Sequence, residues 1–447
     1  METLWFEQAL LPSGWAARVR LSMAGGRITA IEPGVDPAPT DYRFGTALPG
    51  LANVHSHCFQ RLMAGLAETR GAGASDDFWS WRDLMYRLVA AIGPDDLHAI
   101  AAMAFVEMIE GGFTRAGEFH YLHHQPSGTP FDDPAEMAAA IAAATAETGI
   151  ALTLLPVFYA HGGFGAQPTS DGQRRFITSL DGYARLIDAS RAAVAALDDA
   201  VVGIAPHSLR AVAPDELAAL ATICPDGPIH IHIAEQEKEV ADCLAWSGAR
   251  PVAWLLDHAE VGRRWCLVHA THVDRSEVAR IAASGAVVGL CPVTEANLGD
   301  GVFAAEAFLA AGGRFGIGSD SNVRIDAAEE LRLLEYGQRL TQRRRNVLVE
   351  DGFSTGRTLF SGAYQGGAGA LGVAPEGLAV GAPADLVALA TDPLGVGDRA
   401  LDRWIFAHGR VDAVWRAGRQ VVRGGVHHRR DTIAARFAGV AARLLGA

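Results

Sequence analysis

The stretch LANVHSHCFQR (51–61) opens apolar and then presents His55 and His57 with one residue between them. In a β-strand, side chains two apart share a face, so the two imidazoles look the same way. At the end of an apolar strand they gain little from packing and much from a shared cation. An HxH pair alone is weakly specific and suits a pair of structural histidines equally well. The rest of the chain supplies the missing partners. PIHIHIAE (228–235) brings His230, His232 and Glu235, and GIGSDSN (316–322) brings Asp320. Each fragment is ordinary by itself, since an Asp after Gly-Ser often caps a helix. Together, three imidazoles and one carboxylate from separate strands suit zinc or a similar divalent ion and leave a position for water.

The elements that would position these groups are short apolar runs between Ala-rich segments of helical periodicity, the pattern of a parallel sheet. Eight runs are candidate strands: 46–57, 112–119, 150–159, 201–208, 228–235, 265–272, 285–295 and 313–321. Nearly all begin apolar and turn polar or ionisable at their C-terminal ends. That is expected of a (β/α)8 TIM barrel, which carries its site at those ends. A doubly wound open sheet would gather function at one switch point instead. The termini differ, with short alternating strands set off by Gly and Pro turns. Residues 1–48 and 375–430 are expected to form a small antiparallel β-sandwich, 49–374 the barrel and 431–447 a C-terminal helix. GAGASDDFWSW (71–81) reads as a loop after the first strand, and His120, His123 and His124 as a solvated loop near the site. His427 and His428 read as exposed residues of the small domain.

Composition limits the partners. A net charge of −13 argues against nucleic acid and anionic membrane, which are bound chiefly through Lys and Arg. No stretch approaches a membrane span, and METLWFEQALL lacks a basic region followed by an apolar core, so a cytoplasmic protein is expected. The five cysteines (Cys58, Cys224, Cys243, Cys266 and Cys291) are scattered without a CxxC, which points to free buried thiols. Lys238 is the only lysine.

The combination of PGLANVHSH (49–57), HIAE (232–235), a histidine ending the sixth run, GIGSDS (316–321) and GAPADLV (381–387) resembles the amidohydrolase superfamily over nearly the whole chain. The resemblance implies metal ligation by His55, His57, His232 and Asp320. Binuclear members use a lysine at the end of the fourth strand; here that strand ends IAPHSLR and Lys238 lies elsewhere, so one divalent ion, zinc, is implied. Mononuclear members with HxxE are mostly deaminases. Glu235 is then the group that takes a proton from water and returns it to the leaving nitrogen. Asp320 is a second proton acceptor, and His269 supports the developing charge; His272 competes with His269 for that role.

Substrate choice must come from the other residues at the strand ends, Gln60, Arg82, Tyr121, His207 and Arg210. Two arginines exceed what a base needs, and a planar guanidinium matches a carboxylate bidentately. HSHCFQR, FWSWR, EFHYLHH and PHSLR resemble the formimidoylglutamate deiminase family more narrowly. That likeness implies that Arg82 and Arg210 bind the carboxylates of a small dicarboxylate amidine, helped by Gln60, Tyr121 and His207, and that the product nitrogen leaves as ammonia. The architecture is commonly a homodimer. Rival expectations are a base deaminase, an imidazolonepropionase-like hydrolase of cyclic amides and a catalytically silent ligand-binding barrel.

Overall fold

The computed structural model describes residues 2–68 and 78–446. Its larger body is a ring of parallel strands: Leu51–Ser56, Phe113–His120, Ala151–Phe158, a fourth strand broken into Val201–Val202 and Ala205–Pro206, Ile229–Ile233, Trp265–His269, Val287–Leu290 and Arg314–Ile317. They pair in sequence order, and the eighth returns to the first. Bridges from Ile204 to Ile229 and from Ser208 to His232 close the ring between the fourth and fifth strands. Buried on both faces, these strands read as continuous apolar runs, as in ALTLLPVF, where every residue is buried.

The barrel floor is filled from below. Helix Thr355–Ala370 lies against the first and eighth strands, and Ala370 and Leu371 join Ala52, Val54, Cys266 and Val268 in a compact internal core. A Cβ at Gly366 would lie 1.8 Å from the Phe315 carbonyl oxygen, so only glycine lets the helix approach this closely. With the floor sealed, a ligand enters from the C-terminal ends of the strands.

The terminal segments form one continuous eight-stranded sheet. Strands Glu2–Leu11, Gly14–Ala24, Arg27–Glu32 and Tyr42–Pro49 join Leu386–Leu389, Val411–Arg416, Arg419–Arg423 and Val426–His427. The sheet curls until Phe6 and Trp415, three strands apart, meet at 6.4 Å around a separate apolar core. The expected sandwich is thus one bent sheet. It is also not wholly antiparallel, since Glu2–Leu11 pairs parallel to Tyr42–Pro49.

Several expectations need correction. The seventh run yields a strand of only Val287–Leu290, and Pro292 then starts the helix Pro292–Leu298. The loop expected over 71–81 falls partly on residues 71–77, outside the described residues; Phe78–Val89 is a helix. His427 is buried, and its Nε2 donates to the Thr148 carbonyl at 3.0 Å, whereas His428 is exposed. The five cysteines are free and buried. Among the described residues no helix is long and apolar enough to cross a membrane.

Candidate active site

Where the first strand ends, the backbone carries His55 and His57 to the barrel mouth. The fifth strand brings His232, and the turn after the eighth brings Asp320. His55 Nε2 lies 3.1 Å from His57 Nε2 and 3.0 Å from His232 Nε2. Asp320 Oδ1 stands 3.4 Å from His55 Nε2 and 3.3 Å from His57 Nε2. All four side chains are buried. His57 Nδ1 faces the Phe119 carbonyl at 2.9 Å and His232 Nδ1 the His207 carbonyl at 3.1 Å, contacts that only an N–H can satisfy. The Nε2 lone pairs therefore point at one another.

Lone pairs converging at 3 Å in a buried site repel unless a cation lies between them, and the charge states suit one. Burial, aided by His57, pushes His55 down to about 3. Burial also lowers His57 and holds His232 well below the ordinary histidine value. Burial alone would raise Asp320, but the imidazoles of His55, His269 and His57 hold it well below the usual carboxylate range. Three neutral nitrogens and one carboxylate, with the outer nitrogens of His57 and His232 held by backbone carbonyls, are a donor set that fits zinc.

Glu235 and His269 adjoin this cluster. His269 Nε2 is 3.8 Å from Glu235 Oε1 and 3.8 Å from Asp320 Oδ2, and its Nδ1 is 3.3 Å from Glu295 Oε1. Burial opposes a charge on His269, yet Glu235, the Glu295 hydrogen bond and Asp320 outweigh it and raise the ring to about 10. Burial pushes Glu235 up to about 7, with His269 pulling the other way. The backbone here is left-handed at Ala234 (φ 51°), His269 (67°), Ala270 (50°), Asp320 (44°) and Asn322 (55°). Non-glycine residues adopt this conformation at a cost, and its concentration at three strand ends aims side chains that a regular strand would send elsewhere.

Glu239 and Asn322 brace these turns, and Glu295 braces the end of the seventh strand. Glu239 accepts from the backbone N–H of Ala234 and Glu235 at 3.2 and 3.3 Å, and Glu295 accepts from Cys291 N–H at 2.9 Å. Asn322 Nδ2 donates to Ser56 Oγ, the His57 carbonyl and the Asp320 carbonyl at 3.0–3.1 Å, tying the first strand's end to the eighth's.

A cavity of about 590 Å³ opens above the cluster. Its wall includes Gln60, Arg82, Tyr121, His207 and Arg210 beside His57, His232, Glu235, His269 and Asp320. Gln60 Nε2 donates to Tyr121 Oη at 2.9 Å, while its buried Oε1 has no protein partner. The Nε atoms of Arg82 and Arg210 are likewise buried without a hydrogen-bond partner. His207 is kept neutral, chiefly by burial and then by Arg210.

The structure separates some competing residues. His269 reaches the cavity and His272 does not. His230 shares a face with His232 but lies deeper, where its Nε2 donates to the Ala370 carbonyl at 2.8 Å, so it belongs to the barrel floor. His120 and His123 are buried and His124 is half-buried, correcting the solvated loop. The Arg82 guanidinium carbon lies over the Trp79 and Tyr86 rings, 4.5 and 5.4 Å from their centroids. Sequence reasoning passed over Glu239, Glu295, Asn322 and the wall residues Tyr86 and Tyr159. Glu295 closes the run GAVVGLCPVTE and Asn322 follows GIGSDS, so position beside a strand end was a usable signal.

A metal-ligand cluster at the mouth of a (β/α)8 barrel, joined to a sheet built from both termini, defines a class of hydrolases: the chain belongs to the amidohydrolase family, whose model matches residues 46–421. Residues 1–45 match the N-terminal domain of formimidoylglutamate deiminase HutF. Across its full length the chain is 50% identical to the formimidoylglutamate deiminase of Pseudomonas aeruginosa, an alignment of 454 residues spanning 100% of each protein. The 8-oxoguanine deaminase of the same organism is 27% identical over 85% of this chain and 83% of its own. A crystal structure of an amidohydrolase from Brucella melitensis superposes with a TM-score of 0.97 at 53% identity, covering 100% of both chains. A zinc-bound adenosine deaminase from Xanthomonas campestris shares the fold, with a TM-score of 0.81 at 23% identity over 100% of this chain and 98% of that one.

Proposed function

We propose that the chain hydrolyses N-formimidoyl-L-glutamate to N-formyl-L-glutamate and ammonia, with His55, His57, His232 and Asp320 holding one zinc ion. The observation that carries the substrate is the pair of guanidiniums, Arg82 and Arg210, on the wall of the cavity that contains the ligand cluster. The wall also carries aromatics such as Trp81, Tyr86 and Tyr159, but a base has no use for two cations, whereas a dicarboxylate offers each guanidinium a bidentate partner. The full-length relative from Pseudomonas aeruginosa supports the same substrate.

The ion, when bound, supplies Lewis-acid activation of a water molecule. The chain's own groups do the rest. Arg82 and Arg210 bind the two carboxylates and so fix the amidine carbon above the cluster, while Gln60, Tyr121 and His207 orient the substrate. Glu235, with a pKa near the working pH, takes the proton of the attacking water and gives it to the departing nitrogen. Asp320, ionised, accepts the second proton of that water and passes it to the same nitrogen, which then leaves as ammonia. His269, bonded through Nδ1 to Glu295 and facing Glu235 and Asp320, stabilises negative charge as the amidine carbon becomes tetrahedral. The carbon–nitrogen bond then breaks, ammonia leaves and the formyl group remains on glutamate.

We read residues 1–48 and 375–430 as the small domain, 49–374 as the barrel and 431–447 as a C-terminal helix. The five free thiols suit a reducing compartment, and we place the enzyme in the cytoplasm as a homodimer. The deciding experiment is ammonia release from N-formimidoyl-L-glutamate by zinc-loaded protein, with the organic product identified by mass spectrometry. Ammonia with N-formylglutamate supports the proposal. Glutamate with formamide, or turnover of guanine or a cyclic amide in its place, overturns it.

A further inference from the structure

Arg82 and Arg210 come from different elements, helix Phe78–Val89 and the turn after the fourth strand, yet they converge on one indole. The Arg82 guanidinium carbon lies 4.5 Å from the Trp79 ring centroid and that of Arg210 5.9 Å, both within the range of cation–π attraction. Trp79 precedes Arg82 by three residues on the helix, which puts the two on neighbouring surface positions. Trp79 does not line the cavity, whereas both arginines do. Neither arginine's Nε has a hydrogen-bond partner, so the guanidinium planes are not oriented from that side. Two like charges brought together repel, and an electron-rich ring shared between them offsets that repulsion.

We propose that Trp79 is a positioning residue that holds Arg82 and Arg210 as a pair, and that this pairing sets the preference for substrates with two carboxylates. The inference rests on the proposed formimidoylglutamate activity for its kinetic consequences but not for its binding consequences. Lys238 Nζ is also 5.9 Å from the ring, but it is exposed and paired with Asp242 at 2.7 Å, so it is peripheral to the pair.

The test compares wild type with Trp79→Leu and Trp79→Phe in zinc-loaded protein. Calorimetry measures binding of glutarate and of butyrate, which differ by one carboxylate and need no turnover. Wild type is expected to prefer glutarate, Trp79→Leu to lose roughly 10- to 100-fold in glutarate affinity with little change for butyrate, and Trp79→Phe to recover most of the loss. In kinetics, Trp79→Leu should raise KM for N-formimidoyl-L-glutamate by a similar factor and leave kcat within about threefold. A ring that merely stabilises the helix would lower kcat for every substrate, or weaken both acids equally. Either result, or an unchanged glutarate preference, overturns the inference. If wild type binds glutarate selectively but releases no ammonia from formimidoylglutamate, the proposed reaction fails while the arginine pairing stands.

Discussion

Replacing Glu235 by Gln keeps the shape of a side chain that is buried beside the ligand cluster and removes its charge and its proton-transfer capacity. Two consequences can be worked from the geometry. The first concerns His269: at 3.8 Å, and with the effective dielectric of about 20 appropriate to partly relaxed protein sites, the Glu235–His269 attraction is ~4 kcal/mol. In metal-free Glu235→Gln protein, His269 should therefore titrate well below its value of about 10 and closer to an ordinary histidine, as followed by NMR of the ring protons. The second concerns rate: losing a positioned acid–base group costs roughly 10²- to 10⁴-fold in kcat. KM should stay within a few-fold, because Arg82 and Arg210 remain. Zinc content should also be unchanged, because Glu235 is not among the four convergent ligands. The assay is ammonia release under saturating substrate, with zinc quantified on the same samples. A variant that keeps more than about a tenth of wild-type kcat refutes the proton-transfer role. One that loses zinc together with activity refutes the division between ligand and catalyst.

Arg210→Met keeps the length and removes the guanidinium; loss of one partner from a buried charge pair should raise KM for formimidoylglutamate roughly 30- to 3000-fold, and an unchanged KM would discard the carboxylate contact. Asn322→Ala removes the amide that ties the ends of the first and eighth strands, so zinc affinity, measured by competition with a chromophoric chelator, should fall roughly 10- to 100-fold, whereas wild-type affinity would show the amide to be incidental. Burial of His427 lowers it to about 4, against an ordinary value of 6.5. Between those values the unfolded chain holds a proton that the folded one does not, so stability rises with pH across that window and is flat above it. Acidification from pH 7 to 5 should cost about 2 kcal/mol from this residue. The gap between unfolding free energies from denaturant titrations at the two pH values should shrink by that amount in His427→Gln, and an unchanged gap rejects the assignment.

The sequence displayed the site more openly than its supports. His55, His57, His232 and Asp320 were legible because strand periodicity places them at like ends of parallel strands, and the barrel topology does the rest. Glu239, Glu295 and Asn322 were harder to see, because Glu239 and Asn322 serve backbone groups at the left-handed turns of Ala234 and Asp320 and Glu295 serves the His269 ring and the Cys291 N–H, which no propensity reveals. The histidines at 120, 123 and 427 were misjudged as solvated, since a polar run beside turn residues looks the same whether it faces water or a neighbouring helix. The parallel pairing of Glu2–Leu11 with Tyr42–Pro49 escaped for a related reason: alternation specifies faces, not the direction of the neighbour. Trp79 was visible only as part of an aromatic cluster, and the cations around it come from three separate parts of the chain.

The solitary lysine has a practical consequence. Lys238 stands exposed, its Nζ 5.9 Å from the indole that Arg82 and Arg210 share, and no other side chain carries a primary amine. Reagents chosen to be gentle and indiscriminate, such as biotin esters, aldehyde resins and amine-coupled sensor chips, will here attach at one side-chain address, beside Trp79. An immobilised preparation tethered through that amine would be held by the side of the molecule that carries Trp79. Coupling through an added terminal tag would leave that side free, and arginine at position 238 would keep the charge while denying the reagent its handle.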